Sequence, residues 1–324
     1  MTGATGTIGP AVVRRLVEDG WQVRAFARRP PTEGLLPGDV TFVQGDLSDE
    51  IAVHALLGGA LIVHHLAGLA HSPTTPAASA TYARANVDGV RMIASAARAH
   101  NVSRFIYYSS TSVYGSTADG PPADEATDLR PMGPYANSKA AAEAIVREEF
   151  ADRSTILRLA AVYGPRLKGN YLRLFRAIVR GRYVAIGPGL NRRTVVFVDD
   201  VAAAAALVTR IDRTGAQLFN VTDGDIHQLR DIVGAIAAAV GKQSPGVQVP
   251  VGPIRVAARL LDLAAALRVS STPGTALLAK YLEDSAVRGD RIKKELGFRP
   301  AFGLSLGWRK VAEAMTSPSA RSSP

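Results

Sequence analysis

The spacing of apolar residues predicts strands and helices that alternate along the first half of the chain. Short runs have the length of buried strands: Gln22 to Ala27, Val40 to Val43, Leu61 to Leu66 and Arg104 to Tyr108. Longer stretches repeat apolar residues at helical spacing, as in Pro10 to Asp19 and Tyr82 to His100. Strands that alternate with helices indicate an α/β fold built around a parallel sheet.

A glycine-rich loop precedes the first predicted helix. Thr2 to Gly9 reads TGATGTIG, which places Gly3, Gly6 and Gly9 at regular three-residue intervals. Glycines before a helix N-terminus let backbone N–H groups approach a pyrophosphate, and the helix dipole favours its negative charge. A mere tight turn is the alternative, but the helix and strand that follow favour a dinucleotide-binding loop.

The buried first strand that should lead into such a loop has no counterpart, because the sequence starts at Met1. We therefore expect the natural protein to begin several residues upstream. If it does not, the sheet lacks its central strand and cofactor affinity should suffer.

The residues after the next two strands bear on the choice of cofactor. Arg28 and Arg29 stand where an Asp or Glu would bind the ribose hydroxyls of NAD. Arginine there suits the 2′-phosphate of NADP, although two solvated loop arginines are the alternative. The sequence thus leans slightly to NADP over NAD. Asp46, in a Gly-Asp-Leu turn, is a candidate partner for the adenine amine.

A Tyr-x-x-x-Lys pair lies in a helix-forming stretch, GPYANSKAAAE. Tyr135 and Lys139 are one turn apart and so share a helix face. A free tyrosine has a pKa of about 10, and we expect the ammonium to bring it down towards the working range. The pair could then move a proton to or from an alcohol oxygen while a hydride moves elsewhere. The serine-rich turn after Tyr108 could hold that oxygen.

Composition limits the alternatives. The 324 residues have no cysteine, which excludes disulfides and thiolate metal sites. His64, His65 and His71 lie close together, but no carboxylate spacing supports a metal site. The net charge of +10 comes mainly from arginine, and no nucleic-acid-binding motif accompanies it. No membrane span or signal peptide is visible, so we expect a cytoplasmic protein.

Taken together, the motifs resemble the extended short-chain dehydrogenase/reductase family, in its NAD-dependent epimerase/dehydratase group. The sequence motifs that carry this resemblance are TGATGTIG, GDL, HLAG, NVDG, SSTSVYG, PYANSK and LRLAAVYGPR. They follow the order in which the family has them. The resemblance implies a Rossmann-like, doubly wound parallel sheet with a smaller C-terminal substrate lobe. We expect a dinucleotide-binding domain at 1–165, a mainly substrate-binding region at 166–316 and a disordered tail at 317–324.

The resemblance also assigns site residues. Ser110 is the catalytic hydroxyl, Tyr135 the acid/base, and Lys139 a partner of the nicotinamide ribose. The implied cofactor contacts are Gly3, Thr5, Gly6, Thr7, Ile8, Gly9, Arg28, Arg29, Asp46, Leu47, Leu66, Ala67, Gly68, Asn86, Ser109, Tyr135 and Lys139. The implied substrate contacts are Ser110, Thr111, Asn170 and Arg193, with Arg193 clamping a diphosphate.

The second half favours a nucleotide-diphosphate sugar as substrate. From Arg166 to Val198 there are eight basic residues and no acidic one. A solvated helix face accounts for some of them, yet a basic lobe suits a diphosphate. Thr111 and Ser112 stand where sugar 4,6-dehydratases carry an acidic pair, which disfavours dehydration. Ala161 replaces an asparagine of many UDP-sugar epimerases and leaves the substrate open.

These features predict an NAD(P)-dependent epimerase-type oxidoreductase that acts at C4 of a nucleotide-linked hexose. An NADPH-dependent 4-keto-sugar reductase would use the same residues in one direction. A non-catalytic dinucleotide-binding regulator is disfavoured by the intact Ser110, Tyr135 and Lys139. A steroid- or flavonoid-type alcohol reductase would need an apolar pocket, and the basic lobe disfavours such a pocket. The family also implies a homodimer, and the helix from Arg255 to Arg268 could pack the lobe or contact a second copy.

Overall fold

The computed structural model describes residues 1–70, 76–118, 120–211, 215–243, 248–266 and 274–316. The strands are β1 Arg24–Ala27, β2 Thr41–Gln44, β3 Ile62–His65, β4 Arg104–Ser110, β5 Ser154–Leu159, β6 Ala161–Tyr163, β7 Ala185–Ile186, β8 Arg192–Arg193, β9 Val195–Phe197, β10 Gln217–Val221, β11 His227–Gln228 and β12 Gln248–Val249.

The helices are α1 Gly9–Glu18, α2 Glu50–Leu57, α3 Pro76–Tyr82, α4 Gly89–Ala99, α5 Gly133–Glu149, α6 Gly169–Val179, α7 Val198–Thr209, α8 Leu229–Ala239, α9 Val251–Ala266, α10 Gly274–Leu282, α11 Asp290–Leu296 and α12 Leu304–Thr316. A π-helical segment, Ala83–Asp88, joins α3 to α4, so the long helix predicted up to His100 contains one widened turn. A 3₁₀ turn, Thr111–Tyr114, follows β4 directly.

The main sheet is parallel and doubly wound. Strands β10, β5, β4 and β3 are hydrogen-bonded in that order, and β1 pairs with β2 on the other side. Thr2 lies between the two groups and bridges Phe26 of β1 and His65 of β3. The predicted parallel sheet is therefore confirmed, and Thr2 stands where the first strand is expected. The proposed upstream start stays a prediction.

Apolar side chains cover both faces of this sheet. Helices α2, α4 and α5 pack on one face around residues such as Leu57, Ile93 and Phe105. Helices α1 and α7 pack on the other, where Val12 and Val201 belong to the same buried cluster. The sheet edge at the carboxyl ends of the strands is thereby left for polar side chains.

A smaller cluster forms the second lobe. Its centre is Trp308 of α12, which is fully buried and stacks on Tyr163 with ring centroids 4.9 Å apart. Residues of α6 and α8 surround it, among them Phe175 and Ile236. Chain segments after residue 165 also return to the main sheet as β10, so the division at that residue stays a prediction.

Three sequence expectations fall partly or wholly outside the described residues. Helix α9 confirms most of the predicted amphipathic helix, but positions 267 and 268 are not described. His71 and the tail at 317–324 are not described either. Among the helices of the described ranges, none combines the length and the apolar character that a bilayer span requires.

Candidate active site

The glycine loop and the start of α1 form a compact backbone cradle. Gly3 has a φ of 70°, and a Cβ there would lie 2.6 Å from the backbone nitrogen of Ala67. A Cβ on Gly9 would collide with the carbonyl oxygens of Gly3 and Ala4. No described side chain caps α1 at Ile8. Pro10 has no N–H, and the N–H groups of Ala11 and Val12 donate to the Ile8 carbonyl, so the helix contributes its dipole and the Gly9 N–H towards an anion. These features fit the pyrophosphate of a dinucleotide.

The residues expected around the adenosine lie at the ends of β1 and β2. Arg28 and Arg29 are exposed, and the positive charge of Arg28 is near enough to stabilise the Asp46 carboxylate. Hydrogen bonds from the backbone N–H and hydroxyl of Ser48 are the main cause that lowers the pKa of Asp46. One carboxylate oxygen of Asp46 is therefore occupied by Ser48. A contact of Asp46 with adenine stays a prediction.

Ser110 and Tyr135 meet at the carboxyl end of β4. The Ser110 hydroxyl lies near enough to Tyr135 to lower its pKa, and it accepts the backbone N–H of Ser112 to cap the 3₁₀ turn. Tyr82 packs against Tyr135 with ring centroids 5.9 Å apart. The predicted catalytic pair is thus brought together by β4 and α5, which are distant in sequence.

The expected lowering of the Tyr135 pKa by Lys139 is not found in this structure. Burial raises the pKa of Tyr135 above its usual value, and the nearby Ser110 hydroxyl only partly opposes it. Lys139 directs its Nζ to the carbonyl oxygen of Tyr108, 2.8 Å away, and lies 4.8 Å from the centre of the Tyr107 ring. Burial lowers the pKa of Lys139 to about 8. Desolvation therefore sets the direction of the Tyr135 shift, and Lys139 is not among the groups that change the pKa of Tyr135.

Asn86 fixes the loop after β3 to the catalytic helix. Its Oδ1 accepts the N–H of Leu69 at 2.7 Å, and its Nδ2 donates to the Leu69 carbonyl and to the Ser138 hydroxyl. A Cβ on Gly68 would lie 3.0 Å from Asn86 Oδ1 and 3.6 Å from Lys139 Nζ. Gly68 therefore forms part of the wall around the Lys139 amine. Direct contact of Asn86 with a cofactor stays a prediction.

The remaining cofactor candidates are placed by the same elements. Thr5, Thr7 and Ile8 belong to the glycine loop, and Leu66 and Ala67 follow β3. The Ala67 N–H approaches Thr2 Oγ1 at 3.3 Å, and Leu47 packs against Gly89 of α4. Ser109 faces away from Ser110 and donates to Glu143, so its side chain has a structural partner.

A buried ion pair beneath the site was missed from the sequence. Glu143 is fully buried and accepts two bonds from Arg158, at 2.9 and 2.7 Å. Both residues could have been suspected. Glu143 follows Lys139 by one helical turn, and Arg158 is a charge inside an otherwise apolar strand, where an unpaired charge is costly.

The predicted substrate residues are divided between the end of β4 and the second lobe. Thr111 opens the 3₁₀ turn beside Ser110, and Asn170 is exposed in the first turn of α6. Arg193 is half-buried, donates to the Tyr281 carbonyl at 2.8 Å, and lies near enough to Tyr171 to affect its pKa. Its side chain is thus held in place by the lobe.

Other residues singled out from the sequence have structural partners. Arg192 forms an ion pair with Asp284 at 2.8 Å. Asp200 accepts the N–H groups of Ala301 and Phe302 and so joins the start of α7 to the segment before α12. His64 and His65 are buried, and burial lowers the pKa of each to about 3. Over the described ranges, the acidic and histidine side chains form no cluster suited to a metal ion.

A family model matches this chain over residues 1–222, and its description is the NAD dependent epimerase/dehydratase family. The chain belongs to this family. The predicted Rossmann-like fold and the enzyme class are confirmed, and the alternative of a non-catalytic regulator is set aside. A nicotinamide dinucleotide as cofactor is confirmed at the level of the family, while the lean to NADP stays a prediction.

Relatives within this epimerase/dehydratase family have several activities. Ceramide reductase of Caulobacter vibrioides is 30% identical over 322 residues, 96% of this chain and 94% of that protein. The 2-alkyl-3-oxoalkanoate reductase of Stenotrophomonas maltophilia is 32% identical over 74% of this chain and 75% of its own. The structure of Thermus thermophilus UDP-glucose 4-epimerase with NAD has a TM-score of 0.78 and 25% identity, with 98% of each chain covered.

Proposed function

We propose that this protein is a nucleotide-sugar oxidoreductase of the epimerase type that works at C4 of the hexose. The observation that carries the proposal is that the Ser110 hydroxyl lies near enough to Tyr135 to lower its pKa, while Lys139, one helical turn further on, borders Gly68. The nicotinamide, when bound, accepts or supplies the hydride. Tyr135 takes the proton of the C4 hydroxyl and Ser110 holds that oxygen. Lys139, whose Nζ donates to the Tyr108 carbonyl, would bond the nicotinamide ribose.

The basic second lobe supports a diphosphate-bearing substrate. Arg193 is held by the Tyr281 carbonyl, and its charge reaches Tyr171 of α6, the residue after the exposed Asn170. A fixed arginine suits bidentate recognition of a phosphate, because little side-chain entropy remains to be lost. Resemblance to a UDP-glucose 4-epimerase supports the same substrate class. Location in the cytoplasm and assembly as a homodimer belong to this proposal.

A one-directional ketone reductase is the second candidate, with a 4-keto sugar as its first substrate to test. Two of the relatives are named as reductases, one of ceramide and one of a 2-alkyl-3-oxoalkanoate, and only the second name describes a ketone. The exposed Arg28 and Arg29 favour NADPH, which a reductase consumes in each turnover. The catalytic residues would be the same.

The bound cofactor distinguishes the two candidates. Purified protein is denatured, and released nicotinamide is identified by mass spectrometry. Tightly held NAD, with interconversion of UDP-glucose and UDP-galactose, supports the epimerase. An empty site that binds NADPH more tightly than NADH supports the reductase, which is then assayed on 4-keto sugars and on a long-chain ketone.

Tyr135→Phe tests the catalytic assignment in either case. We expect turnover to fall by about 10² to 10⁴-fold, because proton transfer is lost while the ring remains. Tyr183→Phe is the matched control, since this hydroxyl pairs with Tyr281 in the second lobe. Full turnover by the Tyr135 variant would refute the mechanism.

A further inference from the structure

Glu143 lies one helical turn after Lys139 and carries a fully buried carboxylate. Its Oε1 accepts the Ser109 hydroxyl at 2.5 Å and Arg158 Nε at 2.9 Å. Its Oε2 accepts Arg158 Nη2 at 2.7 Å and Arg147 at 3.0 Å. A carboxylate with this many charged and polar donors remains ionised, and these bonds lower its pKa despite its burial.

The bonds continue from Glu143 to both sides of the catalytic serine. Ser109 precedes Ser110 in β4, and Arg158 donates to the Tyr114 hydroxyl at 2.8 Å, at the end of the 3₁₀ turn that Ser110 caps. Tyr114 in turn donates to Asn220 of β10 at 2.8 Å. The backbone on either side of Ser110 is therefore anchored to the helix that carries Tyr135.

The same carboxylate affects the charge state of Lys139. The ammonium faces the ring of Tyr107 and the carbonyl of Tyr108 on β4, and neutral His65 on β3. Burial disfavours the charged amine, and the negative charge of Glu143 opposes that effect. Tyr135, on the same helix, is a neutral phenol in this structure because burial raises its pKa. Arg158 and Arg147 face Glu143 and partly neutralise its field.

We propose that Glu143 is a positioning residue that keeps Lys139 in its ammonium form and anchors Ser110 against Tyr135. The charge role rests on the single carboxylate, whereas the anchoring role rests on the bonds through Ser109 and Arg158. This inference deepens the proposed function, since it names the group that sustains the acid/base pair. Its electrostatic part is measurable without any substrate.

The test compares three variants of the full chain with its cofactor bound. Lys139 is titrated by carbon NMR of ε-¹³C-lysine, its signal assigned through Lys139→Arg. In Glu143→Gln, which keeps the side-chain shape, we expect the midpoint to fall by about one pH unit. In Arg147→Gln the midpoint should rise by a smaller amount, because the field of Glu143 is less neutralised. Glu148→Gln, at an exposed position of the same helix, should change nothing.

The pH profile of kcat then separates charge from structure. We expect the alkaline limb of Glu143→Gln to move to lower pH with the Lys139 midpoint, because the charge role is lost. Loss of the anchoring role should lower kcat by the same factor at every pH. An unchanged Lys139 midpoint in both Glu143→Gln and Arg147→Gln would overturn the proposal. If Glu143→Gln does not fold, the upward shift expected of the half-exposed Arg147 variant still decides it. A shifted Lys139 midpoint, in a protein whose wild type is inactive on every sugar tested, would refute the proposed function and leave this inference standing.

Discussion

Removal of the Asn86 side chain should destabilise the loop that borders the Lys139 amine. Asn86→Ala deletes three hydrogen bonds, of 2.7, 3.0 and 2.9 Å, made by an amide that is 1% exposed. Each contributes about 0.5 to 1.5 kcal/mol net. Ser138 keeps its bond to the Tyr135 carbonyl, and the half-buried Leu69 backbone can be reached by water. We therefore expect a loss of roughly 2 to 3 kcal/mol in the free energy of unfolding.

Urea titration measures this loss, provided that the slope of the free energy of unfolding against urea concentration is the same as in the wild type. Asn137→Ala is the matched control, because Asn137 is exposed on α5 one position before Ser138. The control should cost less than about 0.5 kcal/mol. A loss below that value for Asn86→Ala would refute the view that this amide holds the loop. Cofactor affinity should fall in Asn86→Ala and be retained in the control.

Three further outcomes follow from the geometry. Gly9→Ala should yield little folded protein, because its methyl group would meet the Gly3 carbonyl oxygen; expression and near-UV circular dichroism check this. Arg158→Met should cost about 3 to 5 kcal/mol in urea, since it removes both Arg158 bonds to a fully buried carboxylate and leaves it only Ser109 and the half-exposed Arg147; a loss under 1 kcal/mol would contradict that reason. Asp223 raises the pKa of His227 above 6.5 in the folded protein, so this pair's stabilisation is complete below pH 6.5 and is lost as pH rises through the folded pKa. His227→Gln should therefore weaken the fall in the free energy of unfolding as the pH rises above 6.5. An unchanged pH dependence of that free energy would contradict this role of the pair.

The elements with local signals were predictable from the sequence. Glycine spacing marks a loop that needs a positive φ at Gly3, and the Tyr–Lys spacing marks a helix face. The position of Ser110 followed from the family resemblance, and the structure places it beside Tyr135. All three depend on residues within a few positions of one another.

What the sequence missed depends on contacts between distant segments. Arg158 could be suspected as a charge in a buried strand, but its partner lies on α5 and nothing local names it. Sequence spacing shows that an ammonium lies near Tyr135, which predicts a lowered pKa. It does not show the burial of the tyrosine, which raises that pKa. Burial depends on the whole fold, including Tyr82 from a segment 53 positions earlier, so spacing alone could not supply it.

The bonded chain through Glu143 and Arg158 also bears on how the protein is made. Tyr114 and Asn220 are 106 positions apart, and Asn220 donates to the Arg288 carbonyl 68 positions further on. During synthesis the ribosome releases α5 long before these later partners exist. The site can therefore be completed only near the end of translation, and its closure is a slow, non-local step of folding. A nascent chain that stops before Arg288 would contain both Tyr135 and Lys139. It would still lack the last hydrogen bond of the network that supports them.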